Sequence, residues 1–170
     1  MLTVCRRQDA RPVGGQRQVS WHETRGSSAV DSQTVRGYRT VVTMEDAAWA
    51  GSLLLREGAS GPVLWRHTVL QVLDDYESAR RHDRDAVAVA TGRPDLTGDV
   101  RVDASLAALA EHLAVRDGWP VPAWTTEPGR VADGWLVCAM PAMLPFAEAE
   151  TPPAFRAHGV LVTSGGLARA

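Results

Sequence analysis

Hydrophobic residues recur at regular spacing only beyond residue 42 of this 170-residue chain. Over residues 43–58, Trp49, Leu53, Leu54 and Leu55 mark an apolar helical face. Thr43 is a candidate N-cap with Asp46 three residues on, acids occupy the first turn, and Gly58 ends the run. Over residues 62–85, Leu64, Trp65, Val69, Val72, Leu73 and Tyr76 repeat at helical spacing, with Ser60 as a possible cap and Pro62 in the first turn. Arg66, Asp74, Glu77 and Arg81 fall on the opposite face and read as solvated surface, and the adjacent Asp74 and Asp75 read the same way. The short turn between the two segments predicts antiparallel neighbours, so residues 43–92 form a helical hairpin. "DAVAVATG" (85–92) fits a short strand and a continued helix equally well.

The clearest periodicity follows the Gly/Pro/Asp-rich linker 92–99. Val102, Leu106, Leu109 and Leu113 define a helix capped by Asp99 or Thr97 and closed by Gly118. The pattern then breaks at "GWPVPAWTTEPGR" (118–130). A short helix is expected over 141–150, and a further helical turn after Thr151, which is read as its cap. Residues 160–163 fit a strand or a tail, and "TSGG" (163–166) reads as flexible tail. Residues 1–42 show neither a helical nor a strand period and read as a disordered basic leader, with Met44 as an alternative start of translation. The fold class expected is mainly α: a small bundle of four to five short helices, with an extended Trp/Pro-rich crossover, in one domain over 43–170.

Composition changes this picture in two places. The net charge is −2, but residues 1–40 carry seven Arg against three acids, whereas the remainder carries eleven Arg against seventeen acids. A basic arm on nucleic acid is therefore conceivable for the leader, but the folded part offers no basic field and no recognition helix with a basic face. The chain also contains no Lys, Asn or Ile. All three have AT-rich codons, so the arginine content reflects a GC-rich genome, not selection for guanidinium chemistry. Cys5 and Cys138 do not suggest a disulfide framework, and a reducing cytoplasm fits them. The longest apolar stretch, "GWLVCAMPAMLPFA", is broken by Pro141 and Pro145 and is too short to span a membrane.

Catalytic patterns are not visible. The five histidines (His22, His67, His82, His112, His158) form no HExxH motif, and no nucleophile elbow or phosphate loop is present. His112 reads as a helix-face residue and His158 as a helix-end cap. Cys138 reads as a small buried hydrophobe. No cofactor, metal or enzymatic activity is expected. The Trp-Pro stretch reads first as a stiff bracket, because Pro120, Pro122 and Pro128 hold the backbone extended while Trp119 and Trp124 lie against neighbouring helices. The competing reading is an exposed aromatic patch for a partner.

Residues 97–162, from "TGDVRVDASLAALAEHLA" through "GWPVPAW" to "TPPAFRAHGVLV", resemble a helical C-terminal domain of actinobacterial proteins described as antitoxin-like or as helix-turn-helix regulators. The resemblance implies a non-enzymatic interaction module that binds and neutralises or regulates a partner protein, such as a cognate toxin. Trp119, Trp124, Trp135, Phe155 and Arg156 are the candidate contacts. A DNA-binding regulator is the alternative, although the chain lacks the helix-turn-helix of those relatives.

Overall fold

The computed structural model describes residues 41–138 and 140–168, within one compact unit, Arg39–Ala170. The leader expected over 1–42 lies almost entirely outside the described residues. The described chain is mainly helical, as the periodicity predicts. Its elements are α1 (Met44–Arg56), α2 (Gly61–Trp65), a π-helical turn (Arg66–Leu70), α3 (Gln71–Arg81), α4 (Ala86–Thr91) and α5 (Val100–Asp117). A 3₁₀ turn (Ala123–Thr126), β1 (Trp135–Leu136), a second 3₁₀ turn (Pro141–Met143), α6 (Leu144–Glu150), α7 (Pro153–Ala157), β2 (Val160–Leu161) and α8 (Ser164–Leu167) complete the order.

Helix α5 is the axis of the fold. Asp99 caps it by accepting from the Arg101 N–H, and Gly118 closes it at φ 75°. The leucine spacing predicts one apolar face, but every residue from Val102 through Ala110 is buried. A helix buried on all sides must be surrounded, and α1, α4, α7 and β2 pack around it. Buried Asp103 is satisfied by the Thr97 N–H at 2.8 Å, which draws the linker onto the helix.

Helix α1 has the capping box that its sequence signals. The Thr43 hydroxyl accepts from the Asp46 N–H, and the Asp46 carboxylate accepts from the Thr43 N–H. Its buried face is not the expected one. Met44, Ala47, Ala48 and Gly51 face inward, whereas Trp49 is 68% exposed and Leu53, Leu54 and Leu55 are half-buried. The reason is close approach: a Cβ on Gly51 would already meet Thr68 Cγ2 at 3.1 Å and Val102 Cγ1 at 3.5 Å. Only small residues fit that contact.

The segment from α2 to α3 buries Leu64, Trp65, Val69, Val72 and Tyr76 as predicted. The π-helical turn inside it has no signature in the spacing. Asp75 corrects the reading of a solvated acid: it is buried and accepts from Val42 N–H at 2.9 Å and Gln71 Nε2 at 3.1 Å. The ambiguous 85–92 stretch is α4, a separate helix that Asp85 restarts by accepting from Ala88 N–H.

The C-terminal part is stitched by a minimal parallel pair, with Trp135 opposite Val160 and Leu136 opposite Leu161. Thr151 does not N-cap the next helix, where Pro152 holds that position, but is the C-cap of α6. Its hydroxyl donates toward the Ala147 and Val162 carbonyls and accepts from the Val162 N–H, which ties α6 to β2. The expected tail is instead α8, whose Gly166 carbonyl accepts from Trp65 Nε1 at 3.1 Å.

Gly159 is the tightest point of this corner. Its φ is +67°, and a Cβ there would fall on the Ala132 carbonyl oxygen. Gly159→Ala should lower unfolding free energy by roughly 2–4 kcal/mol, from left-handed strain plus overpacking. Equilibrium urea denaturation checks this, with Gly98→Ala, which has a similar φ but open space around it, expected to lose clearly less.

Candidate functional site

Three groups of side chains are candidates for chemistry or recognition. The first is the Trp-Pro crossover. Trp119 Nε1 donates to the Tyr76 hydroxyl at 2.9 Å, and that hydroxyl donates to Asp117 Oδ2 at 2.7 Å. Arg116 grips Asp117 through both Nε and Nη2 and reaches Glu77 at 2.6 Å. The Arg116 hydrogen bond holds the Asp117 carboxyl below the usual carboxylate range. Burial, reinforced by the bond to Asp117, pushes the Tyr76 phenol up. On the other side, Trp124 Nε1 donates to the Thr91 carbonyl at the end of α4 at 3.0 Å. The crossover is thus a bracket, with one indole fixed to α3 and the other to α4.

The second group is buried and centred on Arg130, a fully buried arginine. Its Nη2 donates to the Pro94 carbonyl at 2.6 Å, its guanidinium lies 5.0 Å from the Trp124 ring, and Glu127 stands 3.6 Å away. Desolvation draws the Arg130 guanidinium below its ordinary range. The Arg130 carbonyl in turn faces His158 Nδ1 at 2.7 Å, and His158 Nε2 faces Glu111 Oε2 at 2.9 Å. Both ring nitrogens of His158 thus face oxygen atoms of the fold. Phe155, fully buried, sits beside this group in a ring cluster with Trp65 (6.0 Å) and His112 (5.8 Å), and Trp65 meets Trp135 edge-on at 6.1 Å. Among the described residues no group of three or more His, Cys, Asp or Glu side chains is placed to hold a metal ion.

The third group is on the surface. Met140 and Phe146 are 60% and 56% exposed, Pro141, Ala142, Leu144 and Pro145 are also exposed, and Ala147 is the buried residue of α6. The helix is nonetheless firmly held. Arg156 Nη2 donates to the Glu148 and Thr151 carbonyls, Glu150 accepts from both the N–H and the hydroxyl of Ser164, and Thr151 bridges to β2.

Of the five residues expected at a partner surface, Trp124 and Phe155 lie in the interior. They correct the expectation: each ring fills a core site and offers a partner nothing. Trp119 and Trp135 are half-buried against the core, and the exposed Arg156 spends its guanidinium on α6. These five do not make one patch of free aromatic surface. The exposed apolar residues at 140–146 were not among the expected contacts, because an apolar run resembles core. The interrupting prolines were the signal that it could not bury both faces. Searches against protein-family models, curated proteins and solved structures each return no match to this chain.

Two outcomes test the internal reading. Tyr76→Phe removes an acceptor for Trp119 and a donor to Asp117, and should cost about 1–2 kcal/mol in urea denaturation. Burial, aided by Arg116, holds the His112 imidazole below its usual range. Folding therefore favours the neutral ring: its contribution is complete above the ordinary imidazole range and is lost as pH falls below it. Between pH 7.5 and 5.5 the wild type should lose more stability than His112→Gln, measured by urea midpoints.

Proposed function

We propose that this chain is a non-enzymatic protein-interaction module, antitoxin-like in the sense its sequence resemblance implies, which binds and neutralises or regulates a partner protein in the cytoplasm. The observation that carries this reading is a set of exposed apolar side chains, Met140 just before the 3₁₀ turn and Leu144 and Phe146 on different sides of α6, a helix held by Arg156, Thr151 and Glu150. Large apolar side chains held in water by an ordered backbone suit recognition, because little ordering entropy remains to be lost on binding. Exposed Glu148 and Glu150 flank the ridge. The complementary partner therefore has an apolar groove with a basic rim. The same acids disfavour an anionic membrane surface, which selects basic amphipathic helices.

Support also comes from how the unusual polar residues are used. Tyr76, Asp117, Arg130, Glu111 and His158 bond to one another or to backbone across elements, which is the behaviour of structural fasteners.

The test is tandem-affinity recovery of the full chain from its native host, comparing wild type with Leu144→Ser/Phe146→Ser. Exposed sites tolerate such changes within about 0.5 kcal/mol each, so the variant should keep the wild-type urea midpoint. A stoichiometric protein recovered by wild type should fall at least tenfold with the variant. Equal recovery, or no stoichiometric partner, contradicts the proposal.

A further inference from the structure

A second feature, independent of the α6 ridge, lies on α1. Glu45, Ala48, Trp49 and Ser52 recur at i, i+3, i+4 and i+7, so they share one face of this helix. That face meets Arg93 and Asp95 of the following linker across a cleft of about 210 Å³. Trp49 is the most exposed aromatic ring of the described chain, at 68%. Its place on α1 follows from the small-residue face buried opposite, which turns the indole outward into this cleft.

The charge of the cleft is unbalanced. Arg93, its one basic lining residue, donates Nε to Glu127 at 2.8 Å, outside the cleft lining. Glu127 thus supplies most of the counter-charge for Arg93, and Asp95 a smaller part. No ion pair to Glu45 or Asp95 occurs among the described residues. The shape has a specific requirement too. Gly92 lies under the Glu45 carboxylate, and a Cβ at that position would fall on the carboxylate itself. Gly92 has φ −57° and ψ 137°, which any residue can adopt, so the glycine is needed for the space and not for the backbone.

We propose that this cleft receives an arginine side chain of a partner polypeptide, its guanidinium stacked on Trp49 and paired with Glu45 and Asp95. An indole face attracts cations most strongly of the aromatic side chains, and a guanidinium stacks on it while presenting N–H donors to carboxylates at its edge. The narrow cleft, open to water, takes one extended basic side chain. Glu45, with no hydrogen bond or ion pair among the described residues, and Asp95, which also feels Arg93, supply the charge complementarity. An apolar occupant would leave both carboxylates desolvated and unpaired, which the cleft disfavours.

The test is a titration of the full chain followed by the Trp49 indole N–H signal in ¹H–¹⁵N spectra, assigned with Trp49→Phe. The probes are the blocked peptide Ac-Gly-Arg-Gly-NH₂, its citrulline counterpart and n-butylammonium. The arginine peptide should move the Trp49 signal saturably, with affinity at least fivefold above the isosteric, uncharged citrulline peptide. Glu45→Gln should reduce that affinity severalfold, and Gly92→Ala, which displaces the carboxylate without removing it, should do the same. Equal shifts from arginine and citrulline peptides would overturn the proposal. So would a shift no larger than that produced by sodium chloride at the same ionic strength, or unchanged affinity in both variants. Tighter binding of n-butylammonium than of the arginine peptide would also overturn it, because the site would then select a small amine. None of these variants touches α6, so this outcome and that of the ridge are read separately.

Discussion

The structure depends on the burial of one helix from all sides. Helix α5 is enclosed from Val102 to Ala110, and its alanines are what allow neighbours to come close on every face. Close approach sets the terms for those neighbours. Where α1 comes closest to α5 and the π-helical turn, at Gly51, only a small residue fits, and Trp49 turns outward while Met44 remains buried at the start of the helix. An encased helix can hold few polar groups, and those it holds must be satisfied. Asp103 binds the linker, and Glu111 meets His158 at the edge of the core.

From this axis the remaining polar chemistry follows as fastening. The chain leaves α5 through Gly118 and must return past α3 and α4 before forming the C-terminal corner. Trp119 and Trp124 fix that path at its two ends, each burying most of a large ring while spending its one N–H on a definite acceptor. Arg130 then closes the path against Pro94, and its carbonyl hands the connection to His158. The result is a rigid frame across elements far apart in sequence. The frame holds β2 and α7, and these in turn hold α6 with its apolar side chains in water.

Much of this was legible in the sequence. The caps of α1 and α5, the inward positions of the 62–82 segment and the bracket role of the Trp-Pro crossover are local properties, set by spacing and by proline and glycine stereochemistry. The misreadings share a different cause. Trp49 and Leu53 looked like the core of α1 because they are large, but the packing partner, Thr68 with Val102, lies far along the chain and admits only small residues. Asp75 and Thr151 are polar residues whose partners sit 33 and 11 positions away, and the partners of Arg130 and of His158, which does end α7 as its sequence suggests, sit 36 and 47 positions away. No local pattern marks them as buried. For the apolar residues at 140–146 the sequence predicts a short helix but not which way it faces, and only the fold shows that α6 buries Ala147 alone.

The claim that recognition runs through the α6 ridge is tested most directly by a photo-crosslinking amino acid placed in the full chain in living cells. Position 146 on α6 is compared with position 115, which is at least as solvent-facing (70% against 56%) near the C-terminal end of α5. The account predicts one defined protein adduct from position 146 and none from position 115. Absence of an adduct at 146, or the same adducts from both positions, would contradict it.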